Sequence, residues 1–189
     1  MSDSLTDARH DSRRIIDDLS HPFPQAANGA CWELVTDGVM GGISTGGLAR
    51  ETLAGRPALR LTGKVSLANN GGFLQMALDL APRGQVLDAT AWDGIGVAVL
   101  GNGERYGVHL RDDTTARPWQ SWRQEFAAGP KWRILQLRFG GFRPHRIDRP
   151  LDPARLRRLG LVAIGRAFTA DLALGGLWLW RDAAGDAGG

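Results

Sequence analysis

Apolar and polar residues alternate with a period of two along most of the chain, the pattern of strands with one buried and one wet face. Leu59, Leu61 and Val65, for example, alternate with Arg60 and Thr62. The same alternation recurs in the segments 74–80, 95–99, 106–111 and 135–139. Two later segments, 159–164 and 172–180, are apolar on both faces, which is typical of central strands.

This patterning predicts an all-β fold, an antiparallel β-sandwich of about ten short strands. The chain has 189 residues, enough for one domain, and many of its 26 glycines stand in pairs that favour turns over long helices. The side chains predicted to fill the core are those on the apolar stripes, namely Leu61, Val65, Leu74, Met76, Leu78, Val97, Val99, Leu135, Leu137, Leu161 and Leu174.

Three regions follow from composition: a polar N-terminal extension (1–29), the sandwich domain (30–181) and a disordered tail (182–189). A weak helix is expected within the extension, from Ser12 to Ser20. One short helix is expected in the domain, with Asp152 as N-cap, Pro153 in its first turn and Leu159 near its end.

The chain is basic, with a formal net charge of +3 and a pI of about 9.7. Its arginines cluster between 143 and 158, but no aromatic residue is interleaved there for base stacking. We therefore expect a surface patch without nucleic-acid specificity, formed by Arg143, Arg146, Arg155, Arg157 and Arg158. Any DNA binding should be weak and should fade with added salt.

Other classes of site find little support. Cys31 is the single cysteine, and the four histidines lack metal-ligand spacing, so we expect no metal and no cofactor. No signal peptide and no membrane-spanning run is recognisable, so we expect a cytoplasmic protein. Gly42–Gly46 matches a nucleophile motif but lacks the following helix, and Gly101–Gly103 is typical of a hairpin turn. We predict that the protein is not an enzyme and has no catalytic residue.

Two segments stand out as candidate binding loops, Asp37–Ser44 and Asn69–Phe73. Both adjoin predicted strand ends, and loops of a sandwich gather at its two ends, so we expect them to lie near one another. The candidate ligand- or partner-binding residues are Asp37, Met40, Gly41, Gly42, Ser44, Asn69, Asn70, Gly71 and Gly72. Carboxylate, thioether and amide groups suit a polar ligand or an adaptable protein surface, but the same residues also build turns. Both interpretations stay open at this stage.

These segments belong to an ordered series of motifs. Trp32 precedes an Asp-x-Val-Met-Gly-Gly-x-Ser run at 37–44, and a strand then leads to Asn-Asn-Gly-Gly-Phe at 69–73. Further elements follow in order: Asp93-Gly94-Ile95, Gly101 to Tyr106, Leu110-Arg111, Gln120 to Phe126, Trp132, Phe139, Phe142 to Pro144, and Phe168 to Leu172. The series, spanning about residues 30–181, resembles the complex I intermediate-associated protein family, whose mitochondrial members are assembly factors of about thirty kilodaltons.

The resemblance implies a jelly-roll sandwich similar to galactose-binding domains. It also implies a non-catalytic binding module, a chaperone-like assembly factor that holds a protein partner of a respiratory or other complex. The alternative, by analogy with the fold alone, is a module for carbohydrate or another small polar ligand. An enzyme of unrecognised type would instead require a pocket with strongly perturbed pKa values.

Overall fold

The computed structural model describes residues 12–182, which form two packed antiparallel sheets. The twelve strands are β1 (Arg13–Asp17), β2 (Glu33–Thr36), β3 (Thr45–Leu53), β4 (Arg56–Val65), β5 (Phe73–Asp79), β6 (Gly94–Gly101), β7 (Arg105–Asp112), β8 (Ser121–Ala127), β9 (Arg133–Arg138), β10 (Arg143–His145), β11 (Leu156–Ile164) and β12 (Phe168–Trp180). The helical segments in this range are short 3-10 turns, at Asp37–Met40, Ala68–Asn70, Pro82–Gly84, Phe139–Gly141 and Pro153–Arg155.

The first sheet has the order β3-β4-β12-β6-β9, and β1 also pairs with β12; the second has the order β10-β8-β7-β11-β5-β2. The predicted β-sandwich is confirmed. The two segments that are apolar on both faces, now β11 and β12, are interior strands of the second and first sheet respectively, flanked by strands on both sides.

The core lies between the sheets and contains the predicted stripes. Ten of the eleven predicted core residues are buried, and Leu135 is only partly buried. Leu135 pairs with Val97, but its strand β9 is at the edge of the first sheet, where less of its side chain is covered.

The expected helix at Ser12–Ser20 is wrong, since Arg13–Asp17 form β1 and pair with β12. This pairing overrides a weak local helix preference. Asp17 is buried and accepts hydrogen bonds from Leu19 N (3.0 Å), Ala27 N (3.1 Å) and Trp32 Nε1 (2.7 Å). Residues 12–29 therefore pack against the sandwich instead of extending from it. At the other end of the described range, Arg181 N donates to Ser12 O at 3.1 Å.

The predicted domain helix is shorter than expected. Asp152 does cap the turn, accepting from Ala154 N at 3.0 Å, but the helix ends at Arg155. Leu156 and Leu159 belong to β11, where pairing with β5 and β7 buries both side chains completely. The predicted disordered tail lies outside the described residues apart from Asp182, whose amide donates to Asp93 Oδ2 at 2.8 Å.

The segment predicted as a hairpin turn and one of the candidate binding loops are connections between the sheets. Gly101–Gly103 leads from β6 in the first sheet to β7 in the second, and Asn69–Gly72 leads from β4 to β5 in the same way. The Asn-Gly signal marked the change of direction correctly but did not reveal that the next strand lies in the other layer.

Candidate functional site

The two candidate loops adjoin through one buried carboxylate. Asp37 begins the 3-10 turn after β2 and is fully buried. Its Oδ1 accepts from Ser44 N at 3.0 Å, and its Oδ2 accepts from Ser44 Oγ at 2.5 Å. Oδ2 also accepts from the amides of Gly72 (2.5 Å) and Phe73 (3.4 Å). One side chain thus ties the loop after β2 to the start of β5.

The glycines around Asp37 make room for this carboxylate. A Cβ built at Gly42 would lie 2.3 Å from Asp37 Cγ, and one built at Gly71 would lie 2.5 Å from Asp37 Oδ2. Burial disfavours the ionised form of Asp37, but the hydrogen bonds from Ser44, Gly72 and Phe73 outweigh it and hold its pKa below the ordinary value. The charged carboxylate therefore acts as an internal tether between the two loops.

The remaining candidate residues point outward. Asn69 and Asn70 are exposed and have left-handed backbone, with φ of 56° and 57°, which Asn tolerates better than most residues. Gly41 is exposed as well, and Met40 is 51% exposed. Among these four, Met40 alone lines the groove described next. A binding role for the candidate residues stays a prediction.

A groove of about 530 Å³ lies on the outer face of the second sheet. Side chains alternate along each strand, so those of Leu74 and Met76 fill the core while Gln75 faces outward. On β7, His109 and Arg111 occupy the same outer face. The Asp37–Met40 turn and the loop between β7 and β8, including Trp119, complete its walls.

Two glycines inside strands give the groove its depth. A Cβ at Gly160 would lie 2.6 Å from Gln75 Cδ, and one at Gly107 would lie 3.1 Å from His109 Nε2. The amide of Gln75 therefore packs directly against the backbone of Gly160, and the imidazole of His109 against that of Gly107. Glycine within a strand commonly marks such a close approach.

One end of the groove is apolar. Phe73 and Ile164 are register partners on β5 and β11, and Val35 of β2 lies beside them opposite Gln75. Val39 and Met40, both strongly exposed, border this end. An unbranched, polarizable Met side chain can adapt to ligands of different shape.

The other end of the groove is basic. Arg158 of β11 pairs with Asp79 (2.8 Å) and Glu33 (2.6 Å). Arg111 Nη2 donates to the carbonyls of Thr115 and Arg117 at 3.3 Å, holding the loop between β7 and β8. Arg123 Nε donates to Ser121 Oγ at 2.9 Å.

The charges at this end perturb one another. Burial lowers the pKa of Arg111 and of Arg123; the nearby cations Arg158 and Arg157 lower that of Arg111 further. Burial, followed by the positive charge of Arg123, lowers the pKa of His109 to about 3. At neutral pH the floor therefore holds a neutral imidazole near the charged guanidinium group of Arg123.

This shift predicts a pH dependence of stability that depends on His109. The unfolded chain takes up a proton at this side chain near pH 6.5, whereas the folded protein does so only near pH 3. The unfolded state thus holds more protons between these values, and stability falls as the pH falls. We expect a loss of about 2 kcal/mol from this residue between pH 7 and pH 5.

Urea unfolding of the wild type and of His109→Gln at both pH values measures this contribution. The wild type should lose about 2 kcal/mol more than the variant, because Gln has no proton to gain. Equal losses in the two proteins would show that His109 titrates normally in the folded state.

Two of the five arginines in the predicted surface patch form salt bridges. Arg155 pairs with Asp113 at 2.8 Å, and Arg158 is the groove residue that pairs with Asp79 and Glu33. Arg143, Arg146 and Arg157 are exposed. The absence of nucleic-acid specificity stays a prediction.

The described residues contain neither a cluster of metal-ligating side chains nor a helix that could span a membrane. Within 12–182 no set of three or more His, Cys, Asp or Glu side chains could hold a metal ion. In the same range, no helix has the length and apolar character needed to cross a membrane.

Sequence reasoning did not identify the groove. Gln75, His109, Arg111 and Arg123 belong to three different strands, and the sequence marked His109 and Arg111 only as polar positions on a strand. A usable signal was present for two of them, because His109 and Arg111 occupy outward positions of β7, which also contains Gly107.

Several solved structures of similar fold are carbohydrate-binding modules. A family 11 module of a cellulosomal cellulase of Clostridium thermocellum matches with a TM-score of 0.67 at 11% identity, covering 89% of this chain and 94% of the module. The Clostridium thermocellum family 11 module in complex with a β-1,3-1,4-mixed-linked tetrasaccharide gives 0.65 at 12%, covering 90% and 96%. A family 30 module gives 0.64 at 16%, covering 93% and 91%. At these identities the likeness concerns the fold alone.

Comparison at the level of sequence identifies a family. No curated protein sequence matches the chain. The family model described as complex I intermediate-associated protein 30 matches residues 21–174, which include both candidate loops and the strands that form the groove floor. The chain therefore belongs to the complex I intermediate-associated protein 30 family.

Proposed function

We propose that this chain is a non-catalytic binding module, a chaperone-like assembly factor that holds an extended segment of a partner protein in the groove of the second sheet. The groove carries the proposal, because an apolar end bordered by exposed Val39 and Met40 continues into a polar end with Arg111 and Arg123. A polypeptide offers both kinds of group in one extended chain. The family name supports a subassembly of respiratory complex I as the partner. A cytoplasmic location is part of the same proposal.

The perturbed pKa values do not favour catalysis. A general base works best when its pKa lies near the operating pH, and that of His109, about 3, is far below it. The groove carboxylates are already engaged, Asp79 with Arg158 and Asp112 with Arg149 at 2.9 Å. The hydroxyl of Ser121 accepts from Arg123 and has no adjacent base among the hydrogen bonds of the described residues.

Carbohydrate binding is the second candidate, supported by the fold of the neighbouring modules and by Trp119 in the groove wall, 45% exposed. An exposed indole can stack on the apolar face of a sugar ring. The positive charge of the groove favours the protein partner over a neutral glucan, since a neutral sugar leaves Arg111 and Arg123 without a counter-charge.

Site-specific photo-crosslinking in the native host tests the proposal. A benzophenone side chain placed at Met40 should give a discrete protein adduct, identifiable by mass spectrometry as a subunit of an assembling complex. The matched control is Ile134, which has a similar exposure of 53% but lies on β9 in the other sheet. Adducts of the same protein at equal yield from both positions would contradict a role for the groove.

Calorimetric titration with mixed-linked β-glucan oligosaccharides completes the comparison. We expect no binding at millimolar concentration. Binding of the neutral glucan, together with the absence of a protein adduct at Met40, would favour the carbohydrate module and overturn the assembly role.

A further inference from the structure

The basic end of the groove holds more positive charge than its own carboxylates neutralise. Asp79 and Glu33 are paired with Arg158, and Asp112 with Arg149. Among residues 12–182, Arg111 and Arg123 make hydrogen bonds only to carbonyl and hydroxyl oxygens, with no carboxylate partner. Two guanidinium groups therefore remain electrostatically unbalanced on the groove floor.

Both groups retain unused donors. Arg111 Nη1 makes no hydrogen bond among the described residues, whereas Arg111 Nε is buried without a partner, which is costly for a donor. Arg123 makes one side-chain hydrogen bond among the described residues, from Nε to Ser121, so its two Nη groups are available. A guanidinium fork matches a carboxylate with two parallel hydrogen bonds.

The two side chains can converge on one ligand group. Arg123 is the register partner of His109, and Arg111 stands two residues further along β7 on the same face. Diagonal neighbours on adjacent strands are about 7–8 Å apart, within reach of long side chains. His109, the register partner of Arg123, is neutral at pH 7 and adds no charge beside them.

We propose that Arg111 and Arg123 together bind the carboxylate of an acidic side chain in the extended partner segment, while an apolar side chain of that segment occupies the end formed by Phe73 and Ile164. This inference rests on the proposed function and specifies the chemistry of the segment. The apolar end lies four residues along β11 from Gly160, which pairs with His109, and six residues from Arg158. At about 3.3 Å per residue these spans are roughly 13 and 20 Å.

An extended partner segment has the same rise per residue as the strands of the groove floor. Its residues at i, i+4 and i+6 face the same side, so one apolar residue and one acidic residue four or six positions apart would reach both ends of the groove. Shorter spacing would leave one end empty.

NMR titration with defined peptides tests this. The probes are capped Ser/Thr peptides that contain one Leu and, two, four or six residues later, either Glu or Gln. We expect the Glu peptides with spacing four or six to bind at least tenfold more tightly than their Gln counterparts. Arg123→Gln should abolish this preference, and Arg123→Lys should retain part of it, because the charge stays while the fork is lost.

The matched control is Arg133→Gln, which removes one exposed positive charge from β9 in the other sheet and should leave the preference unchanged. Thermal melts establish that each variant is folded. Since Arg111 also holds the loop between β7 and β8, Arg111→Gln is informative as a second variant, with loss of the same preference expected.

Equal binding of Glu and Gln peptides, or no binding of either, would overturn the carboxylate site. If the photo-crosslinker at Met40 still gave a protein adduct, the proposed function would survive that result. If it gave no adduct, both the carboxylate site and the proposed function would be overturned. Binding of an oligogalacturonate that depends on Arg123, without Glu-dependent peptide binding, would overturn the inference in favour of an acidic sugar.

Discussion

Replacing Asp37 by Ala is expected to lower the free energy of unfolding by about 4 kcal/mol. The substitution leaves the buried donors Ser44 Oγ and Gly72 N, and the amides of Ser44 and Phe73, without their charged acceptor. In a domain of this size such a loss corresponds to a fall in Tm of about 8–16 °C. Urea and thermal unfolding at pH 7 measure both quantities.

Two further variants sharpen this test. Asp37→Asn keeps an acceptor oxygen in place and should lose less than Asp37→Ala. Asp88→Ala removes an exposed carboxylate that bonds only within its own turn, to Thr90, and should cost less than about 1 kcal/mol. If Asp37→Ala unfolds like the wild type but loses its crosslinked partner, Asp37 is a binding residue and the tether interpretation is wrong.

The second large effect is expected for Leu78→Ala, at about 2–5 kcal/mol, from lost transfer energy and the cavity that remains. Leu78 lies on β5, pairs with Leu159 on β11 and is fully buried. The control is Leu67→Ala, the same chemical change at a position 52% exposed, for which we expect a change within about 0.5 kcal/mol. Superimposable urea curves for wild type and Leu78→Ala would place this side of β5 outside the core.

The sequence was sufficient to predict the sandwich because each strand carries its own period of two. Leu74, Met76 and Leu78 show which face of β5 is buried without any knowledge of the neighbouring strands. β1 was missed for the opposite reason. Its five residues contain the consecutive pair Ile15 and Ile16, and only pairing with β12 makes Ile15 exposed and Ile16 buried.

The groove could not be predicted because it depends on strand order. Gln75 and His109 are 34 positions apart in sequence and meet only because β11 lies between β5 and β7. Periodicity identifies the outward face of each strand but does not say which outward faces adjoin. The same limit hid the partners of Asp37, since nothing in the segment 37–44 alone indicates that its carboxylate binds an amide 35 residues away.

The candidate loops illustrate how a motif that identifies a family can also satisfy a steric requirement of the fold. Gly42 and Gly71 fit so closely around Asp37 that neither glycine can take a side chain without a shift of the carboxylate. Residues that satisfy such a steric requirement stand out in a sequence as strongly as binding residues do. The groove residues, which belong to separate strands, give no comparable local signal.

The hydrogen bond between Arg181 N and Ser12 O brings the two boundaries of the described domain to the same point. Both boundaries lie at the sheet that does not carry the groove. Residues 12 and 181 can therefore be joined by a short linker, with a new opening made in an exposed loop elsewhere. A circular permutant of that kind should keep both sheets and an unobstructed groove.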